Sequence, residues 1–138
     1  MEQSAELKEL TLRFYTALSS RDLAFVKQHF SQQEGALVIG TDPQEWWAGH
    51  ATIARIFEIQ MQEMGQFTLE PGAPQAYSAD SAGWAADRPT FRFADGTTFP
   101  IRLTLVFQKE GDAWTIVQMH ASSGISNQDA LGKTLTTE

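Results

Sequence analysis

The sequence of 138 residues contains no cysteine. Disulfide bonds, thiolate zinc sites, iron–sulfur clusters and cysteine nucleophiles are therefore all excluded. The three histidines are His29, His50 and His120, and no two of them have a metal-ligand spacing such as H-x-x-x-H. We therefore predict that the protein binds no metal.

Basic residues are scarce as well. Ten Lys and Arg stand against 17 Asp and Glu, which gives a formal net charge of −7. Such a chain lacks the basic surface that nucleic acids and anionic membranes require. No segment approaches the ~18 apolar residues of a membrane-spanning helix, and the start MEQSAELKEL does not resemble a signal peptide. We expect a cytoplasmic protein with no nucleic-acid or membrane partner.

Glycine-rich phosphate-binding motifs are also missing. The sequence contains neither a P-loop nor a G-x-G-x-x-G motif, so nothing predicts a nucleotide cofactor. It also lacks the G-x-S-x-G motif of serine hydrolases. Any chemistry must therefore come from acids, bases and hydrogen-bonding side chains, and we predict no cofactor.

What the chain does contain is a globular composition, with 42% hydrophobic and 20% charged residues. A domain typically has about 100–200 residues, so we predict one domain over residues 1–138. The tail from about residue 127 ends in KTLTTE. Its polar composition indicates a solvated, frayed end.

Amphipathic spacing in the first half of the chain predicts three helices. The first covers residues 4–19, a short second helix follows the cap residue Ser20, and the third covers about residues 50–64. Between the last two, residues 36–39 predict a short strand and residues 40–45 a loop.

From Phe67 onward the pattern changes to that of β-strands. The turn sequences Asp95-Gly96 and Glu110-Gly111-Asp112 separate the later ones. The predicted strands cover residues 67–78, 82–93, 98–109 and 114–123. The first is weak and is interrupted by Pro71-Gly72 and Pro74, which predicts an irregular or edge strand. Helices that precede a run of strands are typical of an α+β fold. The space between a long helix and a curved sheet is a natural place for a ligand pocket.

Three segments resemble the NTF2-like superfamily, and within it the SnoaL-like branch: the helical N-terminus, GTDPQEWWAGHATI at 40–53 and GDAWTIVQMHASSG at 111–124. The resemblance extends over about residues 4–125. It implies a cone-shaped α+β barrel, in which N-terminal helices pack on a strongly curved antiparallel sheet with a pocket at the open end. It also implies a homodimer through the outer face of the sheet. The superfamily contains enzymes and non-catalytic binding domains, so this fold does not determine function.

Asp87 is the first candidate catalytic residue, because it interrupts an otherwise apolar strand. Successive strand residues face opposite sides, so only one of Asp87 and Arg88 can face the pocket. In an apolar cavity the carboxylate of Asp87 would serve as a general base. The alternative is a salt bridge with Arg88 or Arg102 at the surface or at a dimer interface.

His120 is the second candidate, since histidine is suited to proton transfer near neutral pH. Strict alternation predicts that it shares one face of its strand with Trp114, Ile116, Gln118 and Ser122. That face lines either the pocket or the dimer interface. A structural, hydrogen-bonded histidine is the alternative.

Six other side chains are candidate ligand contacts, namely Tyr15, Trp46, Trp47, His50, Gln60 and Arg102. The tyrosine and the glutamine lie in or beside apolar helix stripes, where a ligand or water would satisfy their polar atoms. Of the two adjacent tryptophans, we expect one in the core and the other at the pocket rim or an interface. The histidine either binds a ligand at the pocket mouth or packs against the tryptophans.

We therefore predict a non-catalytic ligand-binding or dimerisation domain with a pocket for a small organic molecule. The alternative is a cofactor-free acid–base enzyme, such as an isomerase, dehydratase or cyclase. In that case Asp87 or His120 moves the proton and the ligand-contact residues polarise an oxygen. An enzyme of this type needs two titratable groups within reach of one buried position, whereas a binding domain needs only a cavity with one or two polar anchors.

Overall fold

The computed structural model describes all residues, Met1–Glu138. Its helices are α1 (Ala5–Ser19), α2 (Leu23–His29), α3 (His50–Glu63) and α4 (Asn127–Leu131). α1 begins where the Ser4 hydroxyl accepts a hydrogen bond from the Leu7 backbone N–H. α2 is capped by Asp22, which accepts from the Phe25 N–H, and not by Ser20 as predicted. None of the helices has the length and apolar character needed to cross a membrane.

Ten strands form two sheets. They are β1 (Glu2–Gln3), β2 (Leu37–Ile39), β3 (Trp46–Ala48), β4 (Phe67–Glu70), β5 (Gln75–Ala79), β6 (Ala82–Asp87), β7 (Thr90–Phe93), β8 (Thr98–Pro100), β9 (Arg102–Glu110) and β10 (Ala113–Ser122). The larger sheet has the order β1-β5-β6-β9-β10-β2-β3, and the smaller has the order β4-β7-β8. The β10–β2 pair is parallel. The larger sheet is therefore mixed, with this one parallel pair in a sheet whose other strand pairs are antiparallel.

Two of the predicted strands are divided between the two sheets. The segment 82–93 breaks at Arg88 and Pro89 into β6 and β7, and the segment 98–109 breaks at Ile101 into β8 and β9. Proline cannot donate a ladder hydrogen bond, so it interrupts regular pairing. The two breaks lie side by side, because the Ile101 N–H donates to the Pro89 carbonyl at 3.0 Å. Both chain segments thus pass from one sheet to the other at the same place.

The interruption predicted within the strand 67–78 is confirmed, because the chain is divided into β4 and β5 at the proline-containing segment 71–74. Shorter elements differ from the sequence prediction. The predicted loop 40–45 leads into β3, which the hydrophobic pattern did not reveal. The tail expected to fray from residue 127 begins with one short helix, α4, capped by Ser126. A cap and a single turn are too short to produce a clear helical period.

The core lies between α1 and the inner face of the sheets. α1 packs against β4, β5 and β6, and a cluster of 25 buried hydrophobic residues fills the space. Along β9 the inward Leu103, Leu105 and Phe107 are buried, whereas Arg102 and Thr104 are exposed. This alternation confirms the part of the predicted strand 98–109 that forms β9. Each fully buried Leu or Phe contributes about 1.5–3 kcal/mol to stability.

A β-bulge in β10 reverses which residues face the core. The register of β10 against β9 shifts at Val117, which has no partner in the ladder. Before this point Trp114 and Ile116 are buried, and after it Ala121 is buried. His120 is therefore exposed on the outer face. The prediction that it shares a face with Trp114 and Ile116 is wrong.

Candidate functional site

An apolar cavity of about 300 Å³ opens between α3, the short strands β2 and β3, the end of β10 and the smaller sheet. Twelve of its 17 lining residues are hydrophobic. The aromatic side chains that line it are those of Trp47, Phe57, Phe67, Phe91 and Phe99, and the methionines that line it are Met61, Met64 and Met119. A groove of about 640 Å³ beside the N-terminus is larger, but only three of its eight lining residues are hydrophobic. The apolar cavity is therefore the better candidate for a small-molecule site.

Gln60 and Glu45 supply the polar end of this cavity. The Gln60 Nε2 donates to the Glu45 Oε2 at 2.9 Å, and the Glu45 Oε1 accepts from the Asp42 backbone N–H at 2.8 Å. Gly40 makes room for this carboxylate, since a Cβ at Gly40 would lie 2.7 Å from the Cβ of Glu45. The sequence pointed to Gln60 but missed Glu45. The only feature of the sequence that could have indicated Glu45 is its place in the loop, directly before the two tryptophans.

The two tryptophans point to opposite sides of β3. Trp47 pairs with Val38 across the β2–β3 ladder and meets the ring of Phe57 edge-to-face, with 5.9 Å between ring centroids. Trp46 pairs with Ile39 and is 65% exposed. Only Trp47 lines the cavity, which agrees with the expectation of one inward and one outward ring.

Asp87 faces inward and is buried, but it does not line the apolar cavity. Its carboxylate accepts three hydrogen bonds: from the Tyr15 hydroxyl at 2.9 Å, the Gly72 N–H at 3.1 Å and the Ala73 N–H at 2.8 Å. A Cβ at Gly72 would lie 2.6 Å from the Arg88 carbonyl oxygen, so only glycine allows this approach. These three hydrogen bonds connect α1, through Tyr15, to the segment between β4 and β5, through Gly72 and Ala73.

Tyr15 is the second member of this buried group. Its burial, followed by the repulsion and the hydrogen bond from the Asp87 carboxylate, raises the pKa of Tyr15 above its usual value. The phenol therefore stays protonated and acts as a donor to Asp87. Tyr15 does not line the apolar cavity either.

The remaining predicted residues do not converge on the cavity. His120 is exposed on the outer face, where the Arg102 Nε donates to the Ser122 Oγ at 3.2 Å. The His50 Nε2 donates to the Lys27 carbonyl at 2.8 Å at the start of α3. Asp87 and His120 lie on opposite faces of the sheet, so they cannot serve together as two titratable groups at one buried position. No group of three or more His, Asp or Glu residues comes together to hold a metal ion.

Solved structures described as NTF2-like share this architecture. An NTF2-like protein of unknown function from Pseudomonas putida KT2440 superposes with a TM-score of 0.81 at 16% identity, covering 97% of this chain and 94% of that chain. An NTF2-like superfamily protein from Salmonella enterica serovar Typhimurium gives a TM-score of 0.73 at 24% identity, covering 96% and 94%. A candidate dehydratase of the NTF2-like family from Streptomyces avermitilis gives 0.73 at 13% identity, covering 88% and 96%.

The fold is thus that of an NTF2-like domain. The model of the SnoaL-like domain matches residues 7–126, and the chain belongs to that family. None of the curated proteins is significantly similar in sequence.

Substitution of Asp87 and His120 distinguishes their roles. Asp87→Asn places an NH2 group where backbone N–H donors point, so we expect it to lower the free energy of unfolding by about 1–3 kcal/mol. His120→Asn, at an exposed position, is expected to change it by less than about 0.5 kcal/mol. Urea unfolding of both variants measures the difference, and equal effects would contradict the assignment.

The Tyr15–Asp87 pair predicts a loss of stability at alkaline pH. Above about pH 10, where a tyrosine in the unfolded chain loses its proton, the native phenol of Tyr15 keeps its proton. The unfolded state then binds fewer protons than the native state, so the free energy of unfolding falls as pH rises. We expect Tyr15→Phe to flatten this fall in urea unfolding measured at stepped pH. The same slope in both proteins would contradict the buried pair.

Proposed function

We propose that this domain binds a small, largely apolar molecule in the cavity beside α3. The observation that supports this most strongly is the lining, with twelve hydrophobic residues among 17 around a volume of about 300 Å³. Ligand pockets range over about 300–1,000 Å³ and combine an apolar wall with a few polar groups. The volume here suits a ligand at the small end of that range.

The polar pair gives the ligand an orientation. Glu45 and Gln60 are both half-buried, at the end of the cavity where the loop 40–45 meets α3. A ligand hydroxyl or amine can donate to their free oxygen positions while its apolar part contacts the rings and thioethers. One end of the bound molecule is thus polar and the other is apolar.

Binding is better supported than acid–base catalysis. The Asp87 carboxylate already accepts hydrogen bonds from Tyr15, Gly72 and Ala73, and His120 faces away from the interior. Neither is available to a molecule in the cavity. A cavity with one hydrogen-bonded polar pair matches the requirement for a binding domain more closely than that for a proton-transferring site.

The methionines provide a direct test of this proposal. Three of the four methionines, Met61, Met64 and Met119, line the cavity, and Met1 is exposed elsewhere. We expect 2-phenylethanol to shift the methyl NMR signals of these three and to leave that of Met1 unchanged. It should also raise the melting temperature by mass action.

Two substitutions by phenylalanine serve as a matched pair for this experiment, one within α3 at Ile59 and one directly after α3 at Met64. Met64→Phe adds a ring inside the cavity and is expected to weaken binding of 2-phenylethanol, because it removes space. Ile59→Phe adds the same ring at an exposed position outside the cavity and should not change binding. No shift of the cavity methionines, or equal binding by both variants, would overturn the proposal.

We also propose that two copies associate through the outer face of the larger sheet. None of the outward side chains at its centre is a carboxylate. These side chains are those of Leu37, Ile39, Trp84, Ala86, Thr104, Val106, Gln118 and His120. In a chain with 17 acidic residues, such a face lets two copies meet without like-charge repulsion between carboxylates. A second copy is therefore the occupant that this face suits best.

Sedimentation of a charge variant tests this association. We expect the wild-type protein to sediment as a pair of 15.3 kDa chains. Val106→Arg places a long cation on the proposed interface and is expected to produce monomers. Gln62→Arg, exposed on α3, carries the same charge change and should leave the pair intact. A wild-type protein that sediments as a single chain would overturn the proposal.

A further inference from the structure

The charges around the apolar cavity have only one sign. Glu45 and Glu63 are among its 17 lining residues, and none of the 17 is a lysine, arginine or histidine. A negative charge at the edge of a low-dielectric space raises the local concentration of cations and repels anions. The cavity therefore has an electrostatic preference in addition to its apolar character.

The hydrogen-bonding groups show the same preference. A carboxylate has about four positions that can accept a hydrogen bond, and two of those on Glu45 are occupied, by the Asp42 N–H and by the Gln60 amide. The side-chain oxygen of Gln60, Oε1, accepts no hydrogen bond from the protein, since the side chain bonds only through Nε2. The polar end of the cavity thus offers several free acceptors and few free donors, so it suits a ligand that donates.

The aromatic lining supports a cation for a separate reason. Trp47, Phe57, Phe67, Phe91 and Phe99 all contribute rings to the wall. The face of an aromatic ring attracts a positive charge, most strongly for tryptophan. Trp47 and Glu45 are two residues apart in the chain and line the same cavity. An organic cation therefore finds both a carboxylate and aromatic rings around one space.

We propose that the cavity selects a small organic amine in its ammonium form, with a hydrophobic ring or chain as its body. The inference rests on the function proposed above and specifies the chemical class of the ligand. The ammonium group donates to the free oxygens of Glu45 and Gln60, and the hydrophobic body fills the space between the phenylalanines and methionines.

The position of Glu45 keeps the cost of binding a cation low. Its carboxylate is half-buried, so the ammonium group does not have to leave water completely to reach it. Fully buried ion pairs lose much of their attraction to desolvation, and pairs at a partly hydrated rim lose less. An anion of the same shape faces both the apolar wall and the repulsion of two carboxylates.

Three molecules with the same hydrophobic body separate charge from apolar binding. They are phenethylamine, 2-phenylethanol and phenylacetate, whose dissociation constants can be measured by the methionine methyl shifts at neutral pH and low salt. We expect the amine to bind about tenfold more tightly than the alcohol, and phenylacetate to bind more weakly than either. About 0.5 M NaCl should reduce the advantage of the amine, because salt screens a partly exposed charge.

Two isosteric substitutions locate the effect. Glu45→Gln keeps an oxygen for the Asp42 N–H but removes the charge, so it should reduce the ratio of amine affinity to alcohol affinity to within about twofold. Glu58→Gln removes the same charge from an exposed position on α3 outside the cavity and should leave the ratio unchanged. If Glu45→Gln does not fold, the wild-type ratio and its salt dependence still decide the question.

The possible outcomes separate this inference from the function on which it rests. Equal binding of amine and alcohol, or tighter binding of phenylacetate, would overturn the preference for a cation and leave an apolar ligand site. An amine preference that survives in Glu45→Gln would overturn the role of this carboxylate. Failure of all three compounds to bind would overturn the ligand site itself.

Discussion

The three hydrogen bonds accepted by Asp87 hold together the region where the chain passes between the two sheets. The segment 71–74 connects β4 of the smaller sheet to β5 of the larger one, and its N–H groups donate to Asp87. Asp87 itself ends β6, directly before the passage to β7. The Tyr15 hydroxyl adds the central helix to the same group. One carboxylate thereby connects α1 to two of the sheet crossings.

The cavity depends on this arrangement. Its wall on one side comes from Phe67, Phe91 and Phe99 of the smaller sheet, and on another from Met119 and Ala121 of the larger sheet. The walls stay apart because the strands turn from one sheet to the other instead of continuing straight. Asp87, which its sequence context predicts as a catalytic base, thus stabilises the fold around the cavity and does not contact the cavity itself.

The sequence predicted three of the four helices, the α+β class and the family, because these depend on local periodicity and on the order of elements. The Tyr15–Asp87 contact joins residues 72 positions apart, so no local pattern could reveal it. The predicted strands 82–93 and 98–109 break where they lie side by side, at the hydrogen bond from the Ile101 N–H to the Pro89 carbonyl. The sequence of one strand does not show which neighbouring strand it pairs with at a proline. Glu45 lies in a loop, where neither helical nor strand periodicity marks a side chain as inward.

The bulge at Val117 has a consequence for how such domains can diverge. One extra residue in β10 shifts the phase of every side chain that follows it, so the same ten-residue strand presents one set of alternate residues before the bulge and the other set after it. Deletion of Val117 would restore a regular ladder and leave Gln118 facing outward and Met119 facing inward, as they do now. If Val117 were instead kept and paired with Val106, Gln118 and His120 would lie opposite Leu105 and Leu103 and take the inward positions now held by Met119 and Ala121. The chemistry of the cavity wall is thus set by the register of a strand as much as by its composition. Loss of the bulge without loss of a residue would exchange an apolar wall for one that carries an imidazole and an amide, without any change in the side chains themselves.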